Sequence, residues 1–133
     1  MMDIDLSKIG YIAVVGASRD RAKFGYKVLM DLVNAGYQAC GVNPACTGIE
    51  GTACYPDLAS LPWKPDLIIT VVPPKATEKI VREAKEAGIT RIWMQPGSES
   101  PKAIAFCEDN GIEVMHDACI MIYRRDGVLA QGE

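Results

Sequence analysis

The feature that most constrains the fold is a phrase that occurs three times with variation: Asn34-Ala35-Gly36-Tyr37, Glu86-Ala87-Gly88-Ile89 and Asp109-Asn110-Gly111-Ile112. Each ends a helically spaced segment and is followed by a short apolar run. A glycine just past a helix takes the left-handed conformation that lets the last amides cap free carbonyls, and the apolar residue after it packs back on the final turn. Upstream of the first phrase, residues 24–35 carry Val28, Leu29, Leu32 and Val33 as one stripe. Before the second, residues 75–87 gather Ile80, Val81, Ala84 and Ala87 on one face, with Lys79, Arg82, Glu83, Lys85 and Glu86 mainly on the other. Before the third, Ser100 suits an N-cap and Pro101 the first helical position, for a helix through Ile104, Ala105 and Cys107.

Five apolar stretches lie around these helices, at residues 11–15, 37–42, 67–72, 91–95 and 112–115. Those at 11–15 and 67–72 are nearly unbroken, as strands covered on both faces are. Strands alternating with helices form a parallel sheet joined by right-handed crossovers. The expected fold is α/β: a Rossmann-like doubly wound parallel sheet of about five strands, with helices on both faces. Trp93, inside an apolar strand, is expected in the core. Residues 57–61 read as a short helix, residues 3–9 as a lead-in helix and residues 127–133 as a fraying end. A length of 133 residues suits one domain, 1–133.

Composition narrows the function classes. With 49% apolar and 23% charged residues the chain is globular in character. A net charge of −3 argues against a generic nucleic-acid binder. The apolar runs are far shorter than the roughly 18 residues that cross a bilayer, and Met1-Met2-Asp3-Ile4-Asp5 lacks the basic-then-apolar order of a signal peptide. The expected address is cytoplasmic. Five cysteines, Cys40, Cys46, Cys54, Cys107 and Cys119, are an odd number with no Cys-x-x-Cys, which fits neither a disulfide framework nor structural zinc. Cys40 and Cys107 are expected as packing residues. No nucleophile-base pair assembles around the single histidine, His116.

In an open parallel sheet, ligands bind beyond the carboxyl ends of the strands, where strand order reverses. The loops selected by that rule are residues 16–25, Asn43-Pro44, Pro73-Pro74-Lys75 and Gln95-Pro96-Gly97-Ser98. Gly16 permits a tight turn, Ser18 offers a hydroxyl, and Gly25 lets the following helix approach the strand closely. The same loop and helix start hold Arg19, Arg21, Lys23 and Lys27 against Asp20, a local excess suited to a phosphate-bearing ligand at a helix N-terminus. A Gly-x-Gly-x-x-Gly fingerprint is missing, and Asn43 stands where a dinucleotide site usually has an acid. There is no Gly-Lys-Ser/Thr triplet, which excludes a P-loop.

Gly16-Ala17-Ser18, Gly25-Tyr26-Lys27-Val28, Val42-Asn43-Pro44, Pro56-Asp57-Leu58, Val71-Val72-Pro73-Pro74, Ile92-Trp93-Met94-Gln95-Pro96-Gly97 and Asp117-x-Cys119 occur in that order. In this the chain resembles the small single-domain CoA-binding proteins, which are similar to the N-terminal Rossmann-like domain of the succinyl-CoA synthetase α-subunit. The resemblance runs from about Ile9 to Tyr123. It implies coenzyme A across the carboxyl edge, with Gly16, Ala17 and Ser18 at the phosphates, Asn43 and Pro44 bordering the nucleotide, and Val72, Pro73 and Pro74 lining the other side. Gln95 belongs to the same edge. The family often has a basic residue shortly after the Asn-Pro pair, where this chain has Ala45-Cys46-Thr47, and Lys75 is the candidate substitute. Cys46 and Cys119 follow strands on the ligand edge, and a thiol there could exchange with the CoA thiol.

The reading that follows is a non-catalytic binding or regulatory module for CoA or an acyl-CoA. The alternatives are a small NAD(P)- or acyl-CoA-dependent enzyme, and a regulatory or partner-binding protein in which CoA is an effector or absent, told apart by co-purification with a larger enzyme. Expected partners are the small molecule and either a larger enzyme or further copies of the chain, with no nucleic acid and no membrane.

Overall fold

The computed structural model describes residues 4–45 and 47–131 of the chain. Cys46, the first residue of the expected lead-in helix and the last two of the expected fraying end lie outside the described residues. Strand β1 (Tyr11–Val15) sits near the middle of the sheet, with every residue after Tyr11 buried. It pairs in parallel with β2 (Gln38–Val42) on one side, Ile12 opposite Ala39, and with β5 (Leu67–Thr70) on the other, Ile12 opposite Leu67. Beyond β5 lie β6 (Arg91–Met94) and β7 (Glu113–Met115), both parallel. Beyond β2 lies β4 (Thr52–Tyr55), parallel to it, and then β3 (Gly48–Ile49), antiparallel to β4. The order is β3-β4-β2-β1-β5-β6-β7.

The sheet thus has seven strands rather than about five. The two missed strands are short, two and four residues, and follow β2 with no helix between to mark them. They join through Glu50 and Gly51, both at positive φ (49° and 83°), the backbone of a two-residue hairpin turn.

Helices cover both faces, as expected. Helices α1 (Phe24–Asn34) and α4 (Ile120–Gln131) pack on one face, where Ile12, Val14, Leu67, Ile69 and Trp93 meet Val28, Leu29, Leu32 and Ile120. Helices α2 (Pro74–Glu86) and α3 (Pro101–Asp109) pack on the other, where Ala13, Val15, Ile68, Ile92 and Met94 meet Val81, Ala84, Ala103 and Cys107. Alternate side chains of each strand serve the two cores, which is why β1 and β5 read as unbroken apolar runs.

The repeated phrase acts as its chemistry requires. Gly36, Gly88 and Gly111 have φ of 93°, 75° and 71°, and the apolar residue after each donates its amide back into the helix: Tyr37 to Leu32 O, Ile89 to Ala84 O, Ile112 to Cys107 O. Ser100 Oγ accepts from the Ala103 amide at 3.2 Å, with Pro101 opening α3.

Helix α4 replaces the fraying end expected from residue 127. Tertiary contacts hold its start: Ile120 is fully buried, Tyr123 packs edge-on to Trp93 with ring centroids 4.9 Å apart, and Arg124 pairs with Asp31 at 2.9 Å. The short helices shrink to single 3-10 turns at Leu6–Lys8 and Leu58–Ser60. Among the described residues no helix is long and apolar enough to cross a membrane.

Gly25 in the first turn of α1 is buried against the β1 turn, and a Cβ there would lie 2.1 Å from Gly16 O. Gly25→Ala should therefore push α1 off the sheet and lower stability by about 2–3 kcal/mol in urea unfolding. A loss below about 0.5 kcal/mol would contradict this backbone contact.

Candidate functional site

The chain leaves β1 toward β2 on one side and later returns to β5 on the other, so strand order reverses at β1. The carboxyl ends there are tied together through the backbone. Gly16 N–H donates to Val42 O at 2.9 Å, Val71 N–H to Val15 O at 2.8 Å, and Asn43 N–H to Tyr55 O at 2.9 Å. Gly16 turns at φ 99°, and a Cβ on it would come within 2.2 Å of Val71 O. Only glycine fits this turn. Asn43 braces the next loop, its Nδ2 donating to Ala17 O at 2.7 Å while its Oδ1 accepts from Ala45 N–H at 2.9 Å.

Beneath this edge, on the α2 face, opens a cleft of about 520 Å³. Its roof is Val15 and Gly16 with Val42, Asn43 and Pro44. Pro56, Asp57 and Leu58, which follow β4, close one end, and Val72 with Ala76, Lys79, Ile80 and Glu83 of α2 closes the other. The walls are apolar where Val42 and Leu58 are buried, and charge sits at the α2 side, where Lys79 Nζ lies 3.9 Å from Glu83. A cleft with apolar walls and a few polar groups at its rim is the usual setting for a small-molecule ligand.

The residues expected at the site divide into three groups. Gly16, Asn43, Pro44 and Val72 line the cleft together. Ala17 is buried behind it, and Ser18 is half-buried with its Oγ accepting from Asp20 N–H at 3.0 Å. Pro73 and Pro74 cap and open α2, with Lys75 exposed beside them.

The second group is the basic loop, which does not line the cleft. Arg19 Nε donates to Gly48 O at 3.0 Å and borders a separate hollow formed by residues 47–51. Arg21 Nη2 pairs with Glu50 at 2.7 Å, and Lys23 is the exposed N-cap residue of α1. Tyr26, packed on the α1-side core, donates its hydroxyl to Glu50 Oε2 at 2.7 Å. That hydroxyl, and then Arg21, hold the Glu50 carboxyl below the usual carboxylate range.

The third group lies along β6 and β7. Gln95 is buried; its Oε1 accepts from Ile120 N–H at 2.7 Å, capping α4, and its Nε2 donates to Cys119 Sγ at 3.4 Å. Neither residue lines the cleft. His116 Nδ1 lies 2.5 Å from Asp117 Oδ2, with Asp117 at φ 61°. Among the described residues no cluster of three or more His, Cys, Asp or Glu is poised for a metal ion.

The α2 wall was not legible in the sequence as a site. Ile80 belongs to the apolar stripe and Lys79 to the polar face, and only the seating of α2 beside the ends of β2 and β4 turns both toward the cleft.

A family model described as a CoA binding domain matches residues 11–125. The chain is 39% identical over 119 residues to an ADP-forming acetate–CoA ligase of Archaeoglobus fulgidus, a match covering 82% of this chain and 17% of the ligase. The chain spans 12–17% of the length of the curated relatives it matches. A solved structure of a conserved hypothetical protein from Pyrococcus furiosus aligns with a TM-score of 0.82 at 42% identity, covering 86% of this chain and 98% of that one. A hypothetical protein from Pyrococcus horikoshii aligns with a TM-score of 0.87 at 27% identity, covering 91% and 85%.

The thiols differ in access. Burial pushes both Cys40 and Cys107 up to about 12, and Cys54 is buried beside Gly41, whereas Cys119 is half-buried at the start of α4. At about pH 8 a thiol titrating near 12 is ionised to roughly one part in ten thousand. Iodoacetamide applied to the native protein should alkylate Cys119 well before Cys40 or Cys107, read by peptide mass spectrometry. Equal labelling of the three would refute the burial.

Proposed function

The chain belongs to the CoA-binding domain family, and from that premise we propose that it binds coenzyme A, free or acylated, across the carboxyl edge of the sheet as a non-catalytic binding or regulatory module. The observation that carries this reading is the cleft at the reversal of strand order, roofed by a turn without a side chain at Gly16 and walled by apolar residues. The adenine ring has two apolar faces and a polar edge. It suits the space between Val42, Leu58 and Ile80, with Asn43 and Asp57 at the rim. The diphosphate would then run over Gly16, Ala17 and Ser18 toward the N-terminus of α1, whose first amides and dipole favour an anion. Val72, Pro73 and Pro74 guide the pantetheine arm past α2, where Lys75 adds charge. Gln95 and Cys119 lie further along the same edge, on the way of the thiol end.

The relatives support a role beside a larger enzyme. In the Archaeoglobus fulgidus ligase the matching stretch is 17% of the protein, which supports a unit that works beside further domains or chains. Acting as one domain over 1–133, this chain would present CoA to a larger enzyme or sense its level, in the cytoplasm where CoA is used.

Calorimetry with CoA, NAD and ATP in separate titrations tests the assignment. CoA should bind most tightly; equal binding of all three, or no heat with CoA, would remove it. Ala76→Trp places an indole in the cleft without deleting a core side chain. It should raise the CoA Kd about tenfold or more at an unchanged melting temperature, and an unchanged Kd would put the ligand elsewhere.

A further inference from the structure

The β3–β4 turn carries a glutamate in a conformation that suits glycine or asparagine, since Glu50 has φ 49° and Gly51 follows at 83°. Its carboxylate holds Arg21 of the basic loop and Tyr26 of α1. Arg21 Nε donates to Glu50 Oε2 at 3.0 Å with Nη2 2.7 Å from the same oxygen, the Tyr26 hydroxyl donates to that oxygen at 2.7 Å, and the Arg21 guanidinium carbon stands 5.9 Å from the Tyr26 ring centre. A carboxylate held by a guanidinium and a phenol stands in the way a phosphate would stand.

The contact is not needed to hold the hairpin. Strand β4 is paired with β2 through Gly41–Cys54 and Val42–Tyr55, Ile49 is 1% exposed in the α1-side core, and Arg19 already bonds Gly48 O. Nor is the pair locked away from solvent, with the Arg21 side chain 75% and the Glu50 side chain 39% exposed. Arg21 lies three residues beyond Ser18 and three before Phe24, between the Gly16 turn and the start of α1.

We infer that Glu50 is an internal competitor for ligand phosphate: it holds Arg21 on the β3–β4 turn until an arriving phosphate displaces the carboxylate and takes the guanidinium. That the phosphate belongs to CoA rests on the function proposed above; the competition itself needs only a polyphosphate. The exchange sets how tightly the basic loop binds anions, because Arg21 cannot offer its Nε and Nη2 edge to an anion until the Glu50 contact breaks. Tyr26 keeps the carboxylate in place.

The test follows Arg Nε–H signals by NMR in ¹⁵N-labelled protein titrated with inorganic pyrophosphate. Glu50→Gln keeps the size of the side chain and removes its charge. Glu50→Asn removes the charge and suits the left-handed turn, so it serves should the glutamine variant fold poorly. Both should shift the Arg21 signal at about two- to fivefold less pyrophosphate than the wild type, the range for an exposed ion pair. Read by calorimetry with pyrophosphate, the gain should vanish when Arg21→Gln is added. Equal midpoints, weaker binding in the Glu50 variants, or no Arg21 response in any protein would overturn the competition. A hairpin anchor would predict weaker binding, never tighter. Calorimetry with CoA on the same samples separates the two proposals. Failure of CoA to bind while the pyrophosphate gain persists defeats the CoA assignment alone, and CoA binding with no gain on pyrophosphate defeats the competition alone.

Discussion

The ligand edge rests on two places where backbone touches backbone. Gly16 passes so close to Val71 that a Cβ would come within 2.2 Å of its carbonyl oxygen, and Gly25 approaches the Gly16 carbonyl so closely that a Cβ would meet it at 2.1 Å. The first contact lets β1 end in a turn lying flat against β5. The second lets α1 begin directly over that turn. Together they set the roof of the cleft and the start of α1. Asn43 then fastens the loop from the β2 side through Ala17 O. Any side chain at either glycine would separate elements that must stay in contact for the edge to have this shape.

Charge at the edge follows a different logic. Arg19 and Arg21 of the β1–α1 loop are close in sequence, but their side chains reach the β3–β4 turn, which answers them with the Gly48 carbonyl and Glu50. The cleft opens on the α2 face, where Lys79 and Glu83 stand. The ligand proposed here would cross the Gly16 turn between the two, with its apolar portion on one side and its most negative portion toward the arginines. Ion pairs as exposed as Arg21–Glu50 contribute little to stability, which leaves them free to exchange partners.

Most of the central architecture was legible in the sequence. The glycine-ended helices and the apolar runs of β1, β2, β5, β6 and β7 are short-range patterns, written in neighbouring residues and obeying fixed periods. The hairpin of β3 and β4 was not, because its two short strands follow β2 with no helix between to mark the alternation. Helix α4 was not, because its start is held by Gln95, Trp93 and Asp31, all remote in sequence. At the site, Gly16, Asn43, Pro44 and Val72 could be named in advance because the end of a parallel strand is a position in the chain. Ala76, Lys79 and Glu83 could not, since facing a cleft depends on how a helix is seated rather than on its own stripe.

The sequence by itself determined a doubly wound α/β unit, the loops at its carboxyl edge and the kinship of those loops, because helix stops, apolar periods and turn glycines act over a few residues. Only the tertiary structure decided which face the cleft opens on, which helix closes it and where the arginines point. Those outcomes depend on contacts between residues as far apart as Arg21 and Glu50 or Gln95 and Ile120. Such contacts follow from the packing of whole elements, and no local pattern encodes them.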